Sequence, residues 1–208
     1  MEEIYCYSYV EDLPSKEVAK KLVTERNSGL SNKLRFLPGF PAITSGYGLL
    51  QKKCTAFTEM AKGGLRVFSI TDLDTRPCAG GLIRDWFHIP AKQSIALPKG
   101  LVFRVAIREV ESWIMADREA WAKYIEIPEA NFSSLPDSLP DPKRHLLSVI
   151  RKKGPKKYHK EMLPRGTANV GPRYNEILSR FVRQEWTPAR AASRSPSLAR
   201  AIMALKNI

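Results

Sequence analysis

Apolar residues recur along the chain in two rhythms. Compact runs at residues 4–10, 34–37, 65–71 and 101–108 are bounded by turn residues and read as buried strands. Segments 16–26, about 48–61, 79–87 and about 111–124 instead carry apolar side chains at helical spacing. In the first of these Val18, Ala19, Leu22 and Val23 share a face, and Pro14-Ser15 opens the helix. Strands alternating with helices predict parallel βαβ units, hence an α/β fold with a mainly parallel sheet flanked by helices. Prolines at 128, 136, 140 and 142 mark a loop or linker, and the rest reads as mostly helical. Gly171-Pro172 and Ser195-Pro196 each look like a cap followed by proline at the first helical position. The pattern divides the chain into an α/β domain, residues 1–127, and a Pro-rich linker with a basic helical region, residues 128–208.

Three of the strands run out into acids: Glu11, Asp72-Leu73-Asp74 and Glu109-Val110-Glu111. In an open α/β sheet, ligands bind beyond the carboxyl ends of the strands. Side chains alternate along a strand, so Asp72 and Asp74 fall on one side, as do Glu109 and Glu111 if extended geometry persists that far. Each acid alone has a bland explanation, as a helix cap or a first-turn residue facing the helix dipole. Together they repel unless a cation sits among them, and an all-oxygen site of this kind favours Mg²⁺ or Mn²⁺.

Charge changes the picture further. The net +13 of the 208 residues lies entirely beyond residue 141: residues 1–141 hold 18 basic and 18 acidic side chains, residues 142–208 hold 16 and 3. The densest part contains Lys143, Arg144, Arg151, Lys152, Lys153, Lys156, Lys157 and Lys160, with Tyr158 and His159 among them. Such a stretch suits a polyanion, and nucleic acid is the expected partner. No apolar run approaches a membrane span, and the N-terminus carries acids where a signal peptide is basic, so no membrane association is expected. Cys6, Cys54 and Cys78 are far apart and odd in number, which fits neither a zinc site nor a disulfide framework and suggests a reduced, cytoplasmic setting.

The strand IYCYSYVED at 4–12 and the strand VFSITDLD at 67–74 resemble the glutamate and Asp-x-Asp motifs of Toprim domains. The segment REVESWIMAD at 108–117 resembles the signature of a family of small, stand-alone bacterial Toprim-like proteins related to the overcoming-lysogenization-defect nucleases. Pro142-Lys143-Arg144 and Tyr158-His159-Lys160 are similar to two further motifs of that family, so the likeness runs from residue 4 to about 186. Asp12 stands where many Toprim proteins have glycine, and Val110 where the family has an aromatic residue.

The resemblance implies a Toprim-like (Rossmann-like) fold and a metal-dependent nuclease. It assigns Glu11, Asp72 and Asp74 to Mg²⁺ or Mn²⁺, with Glu111 or Glu109 completing a second metal position or acting on the attacking water. Lys143 or Lys160 would offset charge on the scissile phosphate. It further implies a phage-defence setting with an ABC-type or AAA-type ATPase partner. The alternatives are a Toprim-like module that binds nucleic acid or an ATPase without cutting, and a phosphatase of the haloacid-dehalogenase kind. The latter is disfavoured because Thr75 comes one position early in the D-x-D-x-T motif and no downstream G-D-x-x-x-D follows. Trp113, Ile114 and Trp121 read as core or interface rather than base-stacking groups, and the three histidines share no ligand spacing.

Overall fold

The structure is a computed structural model that describes residues 3–44 and 46–208. Met1 and Glu2, part of the acidic N-terminal pattern, lie outside the described residues. The strands β1 (Glu3–Val10), β2 (Lys33–Phe36), β3 (Ala42–Ile43), β4 (Arg66–Asp72) and β5 (Leu101–Ala106) form one parallel sheet in the order β2-β1-β4-β5. The two-residue β3 continues the β2 edge beside Tyr9 and Val10 and is too short to be read from a sequence rhythm. Central β4 is buried along most of its length, as a parallel strand covered on both faces must be.

Alternation sorts the strand side chains between two apolar layers. Cys6, Val10, Phe68, Ile70 and Ala106 face one layer; Val67, Phe103 and Val105 face the other. The second layer is covered by α2 (Tyr47–Gln51), α3 (Cys54–Lys62) and α4 (Ala79–Trp86), through Leu50, Phe57, Leu82 and Trp86. The expected helix at 48–61 is therefore two pieces, separated at Lys52 and Lys53, where the Lys53 ammonium lies 5.1 Å from the centre of the Tyr9 ring.

The first layer begins with α1 (Leu13–Asn27), capped by the Asp12 carboxylate, which accepts from Ser15 N at 2.9 Å. The stretch read as one helix over 111–124 is broken into α5 (Val110–Ala116) and α6 (Arg118–Tyr124). The break falls at buried Asp117, whose carboxylate accepts from Thr187 N and from Arg190 Nε and Nη2 at 2.8 to 2.9 Å. Those long-range bonds outweigh a locally continuous helical pattern.

The remaining helices are α7 (Pro142–Lys153), α8 (Lys156–Met162), α9 (Tyr174–Gln184), α10 (Pro188–Ala192) and α11 (Pro196–Leu205). The linker segment carries two short 3₁₀ turns, Glu129–Asn131 and Pro136–Ser138. The cap expected at Ser195 is present, its hydroxyl accepting from Leu198 N. The cap expected at Gly171 is not, because Gly171 N and Arg173 N donate to the carbonyls of Met162 and Glu161 and hold the segment against the end of α8. A Cβ on Gly171 would meet Glu161 O at 2.4 Å, so glycine is required there by contact.

The same apolar layer contains Cys6, Val18 and Trp113 together with Ile177, Phe181, Leu198 and Leu205, so the basic C-terminal helices pack onto the α/β part through one shared core. Buried Arg26 fastens the far end: its guanidinium donates to the carbonyls of Asn32, Leu205 and Ile208. Among the described residues no helix is long and apolar enough to cross a membrane. Phe181 joins the two parts, its ring edge-on to Trp121 at 4.9 Å and tilted against Tyr124 at 5.2 Å. Phe181→Ala is expected to destabilise the whole chain by about 3–5 kcal/mol in guanidinium denaturation, with one transition; loss confined to a separate C-terminal transition would contradict a shared core.

Candidate active site at the strand ends

Glu11 directly follows β1. Its Oε1 accepts from Thr71 Oγ1 at 2.5 Å and from Asp72 N at 3.1 Å, which ties β1 to the end of β4. Burial pushes its pKa up, and those two hydrogen bonds oppose the rise. Asp72 ends β4, and its Oδ1 accepts from Val110 N, the first residue of α5, at 2.8 Å. Its pKa is held well above the usual carboxylate range by burial first, then by the charges of Glu111 and Glu11. Asp74 is exposed in a turn, with φ at +51°, its N–H donating to Arg108 O. The chain has left the strand by then, so Asp74 does not stand beside Asp72 by simple alternation; it acts on Glu11 through its charge.

Glu109 and Glu111 also lie beyond the end of β5, in a helix start rather than in extended chain. Glu109 precedes α5 and turns its carboxylate to the start of α7: Oε2 accepts from Lys143 N at 2.8 Å, and Oε1 from Lys143 Nζ at 3.3 Å. Glu111 sits in the first turn of α5, 2% exposed. Its Oε1 accepts from Tyr174 Oη at 3.0 Å and lies 3.5 Å from Lys143 Nζ, while its buried Oε2 has no hydrogen-bond partner. Burial pushes its pKa up to about 7 in spite of the Lys143 ammonium. For Lys143 the balance runs the other way: burial disfavours its charge, but Glu111, Glu109 and Asp72 hold it protonated above the ordinary lysine range.

Of these residues, Glu109 and Lys143 line a cleft of about 790 Å³. Asp12, Glu109 and Asp141 supply its acids, Lys143, Arg144 and Arg151 its cations, and Asn169, Tyr174 and Asn175 an uncharged polar side. Arg144 and Arg151 are seven residues apart, two turns along one face of α7. Lys152, Lys153, Lys156, Lys157 and Lys160 are exposed and do not line it. Lys157 pairs with Glu126. Lys160, expected near the scissile phosphate, lies on the outer side of α8, because Tyr158 and Met162 form the buried face and residue 160 falls opposite. His159 is engaged with Ile150 O through Nε2 at 2.9 Å.

Asp12, Asp141 and Tyr174 line the cleft although the sequence gives them only ordinary work. The two aspartates are helix caps, and Tyr174 reads as part of an apolar helix face. The structure places Glu109 at the cleft and Glu111 behind it, linked through Lys143. Among the described residues no group of three or more His, Cys, Asp or Glu side chains is set around a point as a finished metal site. The donors are nonetheless all oxygen, and the unpartnered Glu111 Oε2 shows that the cluster has spare acceptor capacity. Comparison with family models, with curated proteins and with solved structures finds no match.

An acid whose pKa is raised on folding binds its proton more tightly in the folded state, so stability falls as pH climbs from about 4.5 to about 7. Glu111→Gln removes that titration. In EDTA-containing buffer its stability relative to the parent chain is expected to be greater at pH 8 than at pH 5, by up to about 3 kcal/mol. Thermal denaturation at both pH values checks this, and an equal difference at both would show that Glu111 is not the titrating group.

Proposed function

We propose that the chain hydrolyses phosphodiester bonds in DNA or RNA, using Mg²⁺ or Mn²⁺. The observation that carries this reading is the meeting of strand-end carboxylates from β1, β4 and β5 beside a cleft whose α7 wall bears Lys143, Arg144 and Arg151. Acids that attract a cation and cations that attract phosphate occupy one site, and that combination suits a phosphate diester better than a neutral or cationic ligand.

In this reading Glu11, Asp72 and Asp74 would hold the cation. When bound, it would lower the pKa of water and neutralise charge developing on the phosphate. The chain's own groups do the rest. Arg144 and Arg151 bind successive phosphates along α7 and fix the strand's register. Glu109, at the cleft, takes a proton from the attacking water. Lys143 holds Glu109 in place through both its backbone N–H and its ammonium. Glu111 and Tyr174 fix the Lys143 ammonium from behind.

One observation favours a second reading, a module that binds nucleic acid without cutting it. Lys143 already pairs with both Glu109 and Glu111, and the described acids do not form a finished ligand set. The two readings separate in one assay. With Mg²⁺ or Mn²⁺ present, the nuclease reading expects cleavage of DNA or RNA that EDTA abolishes and that Asp72→Asn or Glu109→Gln slows by roughly 10²-fold or more. Binding without cleavage, or variants that cut as well as the parent, would leave only the second reading.

The substrate path is tested separately by binding. Arg144→Glu with Arg151→Glu is expected to weaken nucleic-acid affinity and to flatten its salt dependence by about two units of slope. Lys156→Glu with Lys160→Glu is expected to have the smaller effect. Fluorescence anisotropy across a salt series measures both, and the reverse order would move the phosphate path from α7 to α8.

A further inference from the structure

The sheet edge opposite β2 is β5, which pairs with β4 alone. Val67 N donates to Gly100 O and Leu73 N to Ala106 O, so the even-numbered residues along β5 bond β4. By alternation Phe103 and Val105 turn their backbone N–H groups to the open edge. A pocket of about 50 Å³ lies there between α4 and α11, lined by Phe103, Arg104, Val105, Ser197 and Arg200.

Its charge is one-sided. Arg104 Nε is buried and makes no hydrogen bond. Burial disfavours the Arg104 charge, and the charged side chain acting on it is another cation, Arg200. Neither guanidinium forms an ion pair among the described residues. Arginine does not escape such a position by losing its proton, so two like charges remain beside one small space. A charge-assisted bond to an anion relieves that repulsion. One water needs about 10–15 Å³ of such space. The pocket therefore has room for a small oxyanion and none for an added peptide strand.

We propose that this pocket binds a small oxyanion of the phosphate type, held by Arg104 and Arg200 with backbone N–H groups of the β5 edge. Ser197 Oγ, on the pocket wall, accepts from Trp113 Nε1 at 2.6 Å. Trp113 belongs to α5, which also carries Glu111, so an anion here braces β5, α5 and α11 against one another. The site stands apart from the cleft and does not depend on the nuclease reading.

The test is titration calorimetry with inorganic phosphate at constant ionic strength, on the full chain carrying Arg144→Glu and Arg151→Glu so that the cleft does not supply the signal. One saturable site is expected, at least tenfold weaker once Arg200→Gln is added. Arg200 is exposed on α11, so its replacement leaves the fold intact; melting in matched KCl confirms this, and the upward shift in melting temperature with phosphate is lost in the variant. The absence of saturable binding, or binding that Arg200→Gln leaves unchanged, overturns the proposal.

Discussion

Like charges brought to one edge of a sheet must be compensated before anything else about this molecule can hold. Glu11, Asp72, Glu109 and Glu111 stand at the ends of three adjacent parallel strands, and burial makes the charges of Glu11, Asp72 and Glu111 more expensive than they would be in water. The compensation is local. Asp72 and Glu109 accept backbone N–H groups at the starts of α5 and α7, where unpaired donors and the helix dipole favour an anion. Lys143 then adds a whole positive charge, 3.3 Å from Glu109 and 3.5 Å from Glu111. A buried pair of this kind owes its effect less to net attraction than to the cost of leaving either partner alone.

This compensation has a consequence for the chain as a whole. Because Glu109 grips the first turn of α7, the linker that precedes α7 and the helices that follow it are fixed relative to the strand ends. Glu109 and the cations of α7 thus meet at one cleft, although more than thirty residues of sequence separate Glu109 from Lys143. The remaining helices close the arrangement by burying Phe181, Leu198 and Leu205 in the layer that covers the sheet, and Arg26 fastens the last carbonyls to α1. Cleft and core are two sides of the same packing, and the α7 cations stand at the cleft because the faces of α7 to α11 that pack inward are apolar.

Local signals made much of this legible. The strands at 4–10 and 65–71 follow from compact apolar runs, α1 from its apolar face, and the acids at strand ends from position alone. What failed to show was decided by distant partners. Nothing near Asp117 announces that Thr187 and Arg190 will break the helix there. Spacing between Glu109 and Glu111 suggests a shared side of a strand, whereas they meet through Lys143 on another helix. Lys160 and Lys143 look alike in a basic run; only the buried face of α8, set by Tyr158 and Met162, turns one outward while Glu109 draws the other in.

The net +13 is not spread evenly over cations free to meet a ligand. A net charge sets a long-range field, but specific contacts depend on which cations lack an internal acid. Lys157 is paired with Glu126, Arg190 with Asp117, Arg173 with Glu161 and Glu176, and Lys143 with the strand-end glutamates. Arg144 and Arg151 at the cleft, and Arg104 with Arg200 at the β5 edge, have no such partner among the described residues. Arg104 is the extreme case, since burial raises the cost of its charge and Arg200 adds to it. On the two proposals made above, these arginines are where anions would be received, one pair in the cleft and one on the open edge of the sheet, while the exposed Lys152, Lys153, Lys156 and Lys160 add to the long-range field.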